Sequence, residues 1–345
     1  MRTIPYAVYL NRYRKYPLID VRSPKEYRRG HLPGAVNIPL FSDQNRALVG
    51  TLYKQAGSQA AIKQALGLIN LPQLAQKAEK LKAQTLAVYC FRGGLRSASV
   101  GWLFELLGYQ VLLLKKGYKG GRSWVLKQFE KKYPLAILSG ETGVGKTRFL
   151  KQLEHIDLEG LACHRGSVFG AFQKPQPTQE NFENQLAFRL FCFEKKSRSK
   201  KPGSRRIWLE DESRLIGNLI LPKTLFEQMQ KAPSLILEDS LENRLQRILN
   251  SYRRTPKEKL RAAILRIQKR LGGEIARQAL ELLEQQKLKE CSALLLGYYD
   301  KKYAFTIEKR KSRALKLDLQ NPSGKAASQA LAAWLKNSSF FQSLD

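Results

Sequence analysis

The segment from Leu135 to Thr147 constrains the fold of this chain more than any other. Leu135-Ala136-Ile137-Leu138 is a short apolar run of strand type. It leads into Gly140-Glu141-Thr142-Gly143-Val144-Gly145-Lys146-Thr147 and then a helix-like run. This is G-x-x-x-x-G-K-T in the strand, loop and helix setting that it requires. The glycines let the backbone wrap a phosphate, Lys146 neutralises its charge, and the Thr147 hydroxyl is placed to hold a Mg2+ ion. A di- or triphosphate is therefore expected on Gly140, Gly143, Gly145, Lys146 and Thr147. ATP hydrolysis does not follow from the loop alone. Further on, Ile207-Trp208-Leu209 precedes Glu210-Asp211-Glu212, which reads either as a second strand ending in metal-facing carboxylates or as a solvated acidic turn.

A second strand–loop–helix junction lies upstream, at Val88-Tyr89-Cys90-Phe91-Arg92-Gly93-Gly94-Leu95-Arg96-Ser97. Thr85 to Tyr89 reads as a buried strand and Ser97 to Leu107 as an amphipathic helix. Cys90 thus stands where a strand ends, on a glycine-rich loop entering a helix N-terminus. The amides freed by Gly93 and Gly94, the helix dipole, Arg92 and Arg96 all favour negative charge there. The same features lower a thiol's pKa and make it a nucleophile near neutral pH. Burial in a strand is the commonest fate of a lone cysteine, but two glycines and two arginines in the next six residues are not core material. The expected catalytic set is Cys90, Arg92, Gly93, Gly94, Arg96 and Ser97.

Length and charge bound the rest. With 345 residues, 43% of them hydrophobic, the chain is long enough for two cored domains. Its 61 Lys and Arg against 29 Asp and Glu give a net charge of +32, a field that attracts a polyanion such as RNA or DNA. A membrane surface is the weaker partner, since no basic amphipathic anchor or lipidation motif stands out. The densest basic run, Lys195 to Arg206, reads equally as a nucleic-acid contact or as a solvated loop. No apolar stretch reaches transmembrane length and the N-terminus lacks a signal-peptide pattern. Cys90, Cys163, Cys192 and Cys291 have no C-x-x-C spacing, and His31, His155 and His164 do not join them at metal-ligand intervals. Disulfides and structural zinc are not expected, and a reducing cytoplasm is.

Tyr133-Pro134 marks a junction, giving domains over 1–132 and 133–345. In the second, Ser234 to Glu238 is a strand candidate. Leu241 to Lys289 is helical with a break at Gly272-Gly273, Ala304 to Glu308 is read as a strand, and Lys325 to Lys336 as a closing helix. No internal repeat is found.

Three features together resemble a rhodanese domain: Asp20-Val21-Arg22-Ser23-Pro24-Lys25-Glu26-Tyr27, Gly30-His31-Leu32-Pro33-Gly34-Ala35-Val36-Asn37-Ile38-Pro39, and the strand-terminal Cys90 loop. In ordinary sulfurtransferases of that kind the loop arginine lies five positions after the cysteine. Here Arg96 lies six after Cys90, as in rhodanese-related phosphatases, which favours a phosphorus-bearing donor over thiosulfate.

A rhodanese domain followed by a P-loop domain, with strong basic charge, resembles the tRNA 2-selenouridine synthase family. Further matching stretches are G-T-L-Y-K-Q-A-G from Gly50 to Gly57, Gly117 to Arg122, Leu158 to Ser167, Gln176 to Glu183, and Glu210 to Gly217. The resemblance implies an α/β protein: an N-terminal rhodanese-like parallel-sheet domain and a C-terminal P-loop NTPase-like α/β domain with a helical extension. It implies exchange of sulfur for selenium at the wobble 2-thiouridine of tRNA, through S-geranylation with geranyl diphosphate and then selenation with selenophosphate. The phosphate loop is then expected to hold geranyl diphosphate, with Mg2+ on Thr147, and Cys90 to carry the selenium. Asp20 and Arg22 are expected to brace the Cys90 loop. His164 and Arg165 are weaker tRNA or diphosphate contacts. Phe169, Phe172, Phe182, Phe188, Phe191 and Phe193 read as a core stripe before a geranyl pocket. No tightly bound cofactor is expected, the oligomeric state is open with a monomer favoured, and the alternatives are an ATP-dependent tRNA sulfurtransferase or a non-catalytic RNA-binding adaptor.

Overall fold

In the computed structural model, which describes residues 1–164, 175–197, 206–252, 255–310 and 314–319, the apolar runs become the inner strands of two parallel sheets. The chain divides into two units: Met1–Lys131 with Thr178–Phe188, and Lys132–Pro177 with the chain from Arg189 onward.

The first unit carries β1 (Arg2–Ile4), β2 (Leu18–Asp20), β3 (Ala35–Asn37), β4 (Thr85–Tyr89) and β5 (Gln110–Leu114), in the sheet order β1-β5-β4-β2-β3. Every pairing is parallel, with Leu18 opposite Ala87 and Thr85 opposite Gln110. β2 and β4 are buried along their whole length because helices cover both faces, as their unbroken apolar composition requires. Between them the helix Pro24–Arg29 begins with a capping box: the Glu26 amide donates to Ser23 Oγ and the Ser23 amide to Glu26 Oε2.

The second unit carries β6 (Leu135–Gly140), β7 (Ile207–Glu210), the short antiparallel pair β8 (Leu215–Ile216) and β9 (Leu219–Ile220), β10 (Ser234–Glu238) and β11 (Ala314–Asp318). Its main sheet is parallel in the order β11-β10-β6-β7. The helices Leu241–Tyr252, Lys257–Leu271, Gly273–Glu284 and Leu288–Arg310 pack around Leu245, Ile264, Leu283 and Leu295. The break falls at Gly272, whose φ is +88°.

One expectation is corrected. Ala304 to Glu308 is helical, inside Leu288–Arg310, and the strand lies later, at Ala314–Asp318. Short alternating segments carry either pattern, and here the long helix already under way decides. Thr178–Phe188 packs within the first unit. Tyr118 donates to Glu180, Asn184 Nδ2 donates to the His31 carbonyl at 2.8 Å, and Arg122 pairs with Glu183. Lys325 to Lys336 lies outside the described residues. No described helix is long and apolar enough to cross a membrane.

Candidate active site

Cys90 follows β4 directly, and the helix Leu95–Leu106 starts four residues later at Gly94, which offers no capping side chain. The sulfur is turned inward: Cys90 is 3% exposed and touches the core that includes Ile19, Val88 and Val100, while residues 91 to 95 face solvent. Burial and function are therefore both present at this residue. Ser97 Oγ donates to Cys90 Sγ at 3.2 Å, and its other acceptor, the Gly94 carbonyl, lies at 3.0 Å. Burial pushes the Cys90 pKa up, but the Ser97 hydroxyl and amide and the Arg96 charge outweigh it, and the thiol lies below its ordinary value. Cys291, equally buried at 2% exposure, lies in an apolar cluster and donates from its sulfur to the Ala279 carbonyl at 3.3 Å, and burial raises it to about 11. The local donors, not burial, separate the two thiols.

The loop is held from beneath by the turn after β5. The Tyr118 amide donates to the Cys90 carbonyl at 2.8 Å and the Lys119 amide to the Phe91 carbonyl at 3.0 Å. This approach needs Gly117, with φ +50°, because a Cβ there would run into the Cys90 carbonyl and lie 2.6 Å from the Gly93 nitrogen. Asp20 and Arg22 brace the same turn. Their buried ion pair closes at 2.6 Å, Arg22 Nη2 also donates to the Gly30 carbonyl, and the guanidinium stacks 4.0 Å above the Tyr118 ring. Arg96 does not stand open over the loop: its guanidinium donates to both oxygens of Glu26, at 2.7 and 3.3 Å. Burial raises Glu26, but the bond and charge of Arg96 bring it below its usual value. Arg92 is exposed.

The second constellation is built at the ends of β6 and β7. Leu138 pairs with Glu210, so the end of β7 lies beside the strand that opens the phosphate loop. Gly140, Gly143 and Gly145 have φ of +139°, +82° and +97°, and a Cβ on Gly143 would sit 3.0 Å from the Arg244 carbonyl. Lys146 Nζ donates to the carbonyls of Gly140 and Glu141 at 2.6 and 3.2 Å. Burial lowers the Lys146 pKa against the opposing pull of Glu210, Glu212 and Glu159. Thr147 Oγ1 donates to Glu210 Oε1 at 3.2 Å and Ser139 Oγ to Asp211 Oδ2 at 2.7 Å. The acidic triplet is thus no solvated turn: Glu210 and Asp211 are buried, 3% and 6% exposed. Burial and the Glu159 charge raise Glu210 to about 7, and the same causes with Glu210 added raise Glu212 to about 8.

Residues 133–336 match the family described as tRNA 2-selenouridine synthase AAA domain, and residues 7–123 match the rhodanese-like domain. A tRNA 2-selenouridine synthase of Shewanella oneidensis is 38% identical over 93% of this chain and 92% of its own length. The chain belongs to the tRNA 2-selenouridine synthase family. Relatives of the same name from Sulfurovum and Pseudomonas entomophila are 37% and 39% identical, over 87% and 86% of this chain and 91% and 89% of their own lengths.

Among the residues that the sequence pointed to in this synthase-family chain, Cys90, Gly94 and Ser97 meet around one sulfur, and Lys146 and Thr147 meet Glu210. Phe182, Phe191 and Phe193 are buried, and Phe188 lies under the Arg14 guanidinium at 4.6 Å. Phe169, Phe172, Arg165 and most of the basic run from Lys195 to Arg206 lie outside the described residues. Four participants escaped the sequence reading. Glu26 holds Arg96, Glu159 joins the carboxylates beside Thr147, and Arg244 and Arg247 donate to the Thr142 and Gly143 carbonyls at 3.3 and 3.1 Å. The arginines alone left a signal, three positions apart on one helix face.

Proposed function

We propose that the protein converts 2-thiouridine at the tRNA wobble position into 2-selenouridine in two steps that use two donors. The phosphate loop of Gly140, Gly143, Gly145, Lys146 and Thr147 holds the diphosphate of geranyl diphosphate, and the thiocarbonyl sulfur of the base takes the geranyl group as diphosphate leaves. Alkylation makes the sulfur a better leaving group. Cys90 releases selenium from selenophosphate: its thiolate attacks phosphorus, the S–P bond forms as the P–Se bond breaks, and selenide leaves with the bonding pair. The selenide attacks C2 of the alkylated base and expels geranylthiol, and water hydrolyses the S–P bond to free Cys90 and phosphate. A bound Mg2+ would supply charge neutralisation at the diphosphate, and the orphaned buried oxygen of Glu210 beside Thr147 suits such an ion.

One observation carries this reading. A chain of the synthase family holds both a thiol whose pKa is lowered by donors converging on it and a lysine-bearing phosphate loop. Nucleoside mass spectrometry of tRNA from cells carrying single variants tests it. Cys90→Ala is expected to abolish 2-selenouridine while geranylated 2-thiouridine accumulates, and Lys146→Ala to abolish both. Persistence of 2-selenouridine in Cys90→Ala removes the sulfur from the reaction. Unaltered geranylation in Lys146→Ala removes the loop as the diphosphate site. ATP turnover coupled to sulfur transfer would mean a sulfurtransferase instead.

A further inference from the structure

The two segments that meet at Cys90, 85–104 and 110–129, hold seven Lys or Arg between them and no Asp or Glu. The fold gathers cations from both at one turn. The Lys119 amide donates to the Phe91 carbonyl at 3.0 Å, and a Cβ on Gly93 would lie 3.1 Å from the Lys116 nitrogen, so the turn after β5 lies against the Cys90 loop. Arg92, Lys115, Lys116 and Lys119 are all exposed, and none has a carboxylate partner among the described residues. The neighbouring Arg96 and Arg122, by contrast, are each paired with a glutamate. Unneutralised cations crowded on one turn attract a polyanion.

Two further observations separate this surface from an ordinary solvated one. Lys116 has φ of +59° and precedes Gly117 at +50°. Glycine adopts that left-handed pair without steric cost, whereas a lysine there is strained. The chain thus keeps a cation where local geometry favours none. Phe91, the residue after the thiol, is 40% exposed, with its ring 6.5 Å from that of Tyr118 and inclined to it by 29°. Phe104 and Phe129 in the same unit are closed to solvent. An exposed ring among unpaired cations is the composition of a single-stranded nucleic-acid contact: the ring offers a face to a base, and the cations take phosphates.

We propose that Phe91, Arg92, Lys115, Lys116 and Lys119 form the surface on which the anticodon loop of tRNA docks. The Phe91 ring stacks on the wobble base as it turns out of the loop, and the cations hold the phosphates on either side. A base stacked on the residue next to Cys90 is delivered to the thiol that the reaction uses. Phosphate contacts fix register and stacking accepts any base, so the surface positions its target without reading sequence. The identity of the RNA rests on the proposed conversion of its wobble base, but the surface itself does not. An anionic lipid surface would suit the cations and give no reason for them to surround the reacting thiol.

Binding of a synthetic anticodon stem-loop with 2-thiouridine at the wobble position to the full-length protein, titrated over a range of salt, tests this. Phe91→Ala is expected to weaken binding about tenfold with its salt dependence unchanged, and Phe91→Tyr to retain it. Lys115→Gln and Lys119→Gln are each expected to lower the slope of log Kd against log salt by about one. Lys116→Gly separates binding from folding, because losing the strained side chain is expected to keep or raise Tm while the slope still falls by about one. Lys63→Gln, an exposed cation on the helix Asp43–Leu66, is expected to leave binding within about twofold. Circular dichroism certifies that each variant is folded. A wild type that does not bind the stem-loop, or folded Phe91 and lysine variants that bind it undiminished, would overturn the surface. Binding to vesicles of phosphatidylserine and phosphatidylcholine that needs these lysines, when stem-loop binding does not, would assign it to lipid instead. The conversion is judged separately: persistence of 2-selenouridine in Cys90→Ala refutes the reaction and leaves this surface standing, whereas undiminished stem-loop binding refutes the surface alone.

Discussion

At the scale of single residues, Cys90 and Cys291 make the physical point. Both are buried, and burial alone raises a thiol, as it does Cys291. Cys90 goes the other way because one side chain, Ser97, and one helix start aim donors at its sulfur. The sign of the linkage follows. With the folded pKa below the unfolded one, ionisation of Cys90 stabilises the fold fully above the unfolded thiol pKa, and this contribution is lost as pH falls through the folded pKa. Alkylation of the Cys90 peptide, followed by mass spectrometry across pH, is expected to show a midpoint below the ~8.5 of a free thiol. Ser97→Ala is expected to move the midpoint upward by about one unit, equivalent to ~1.4 kcal/mol. An unmoved midpoint would mean that Ser97 is a packing residue only.

At the scale of elements, each site is a strand end gripped by a neighbouring turn. Gly117 lets the turn after β5 donate to the carbonyls of Cys90 and Phe91, so Gly117→Ala is expected to cost about 1–3 kcal/mol in denaturant unfolding. Beside β7 the raised pKa values of Glu210 and Glu212, about 7 and about 8, reverse the usual carboxylate sign. The folded state retains protons that the unfolded chain has released, so stability falls as pH rises from about 5 to 8 without divalent cations. Glu212→Gln is therefore expected to raise Tm at pH 8 in chelator by roughly 2–4 °C, ~1 kcal/mol for a unit of this size; a lowered Tm would refute the repulsion. Much of this layout was legible in advance. β4, β6, β7 and β10 are mostly apolar runs, the last three ending in glycine or glutamate and β4 running into Cys90, and buried parallel strands leave that trace. Ala304 to Glu308 was misread because five residues do not distinguish a strand from one turn of a long helix. Glu26 with Arg96, and Glu159 with Glu210, were not legible, since each pair is made by strand order and not by spacing.

At the scale of the molecule, a net charge of +32 accompanies two sites proposed to take anions, and the substrate proposed for them is itself a polyanion. Filter-binding of tRNA is expected to show log Kd rising linearly with log salt, with affinity lost by about a thousandfold or more between ~50 and ~200 mM. A flat response would assign the charge another purpose. Tyr133-Pro134 was read as the junction, and the packing of Thr178–Phe188 within the first unit was not legible. That segment is held by Glu180, Glu183 and Asn184, polar residues whose partners lie about sixty or more positions away. The account as a whole claims that two donors act in a fixed order on one base. Purified protein supplied with 2-thiouridine-bearing tRNA and one donor at a time tests this most directly. Geranyl diphosphate alone is predicted to yield the S-geranyl nucleoside, and selenophosphate to yield 2-selenouridine only from tRNA already geranylated. Selenation of unalkylated tRNA by selenophosphate alone would contradict it.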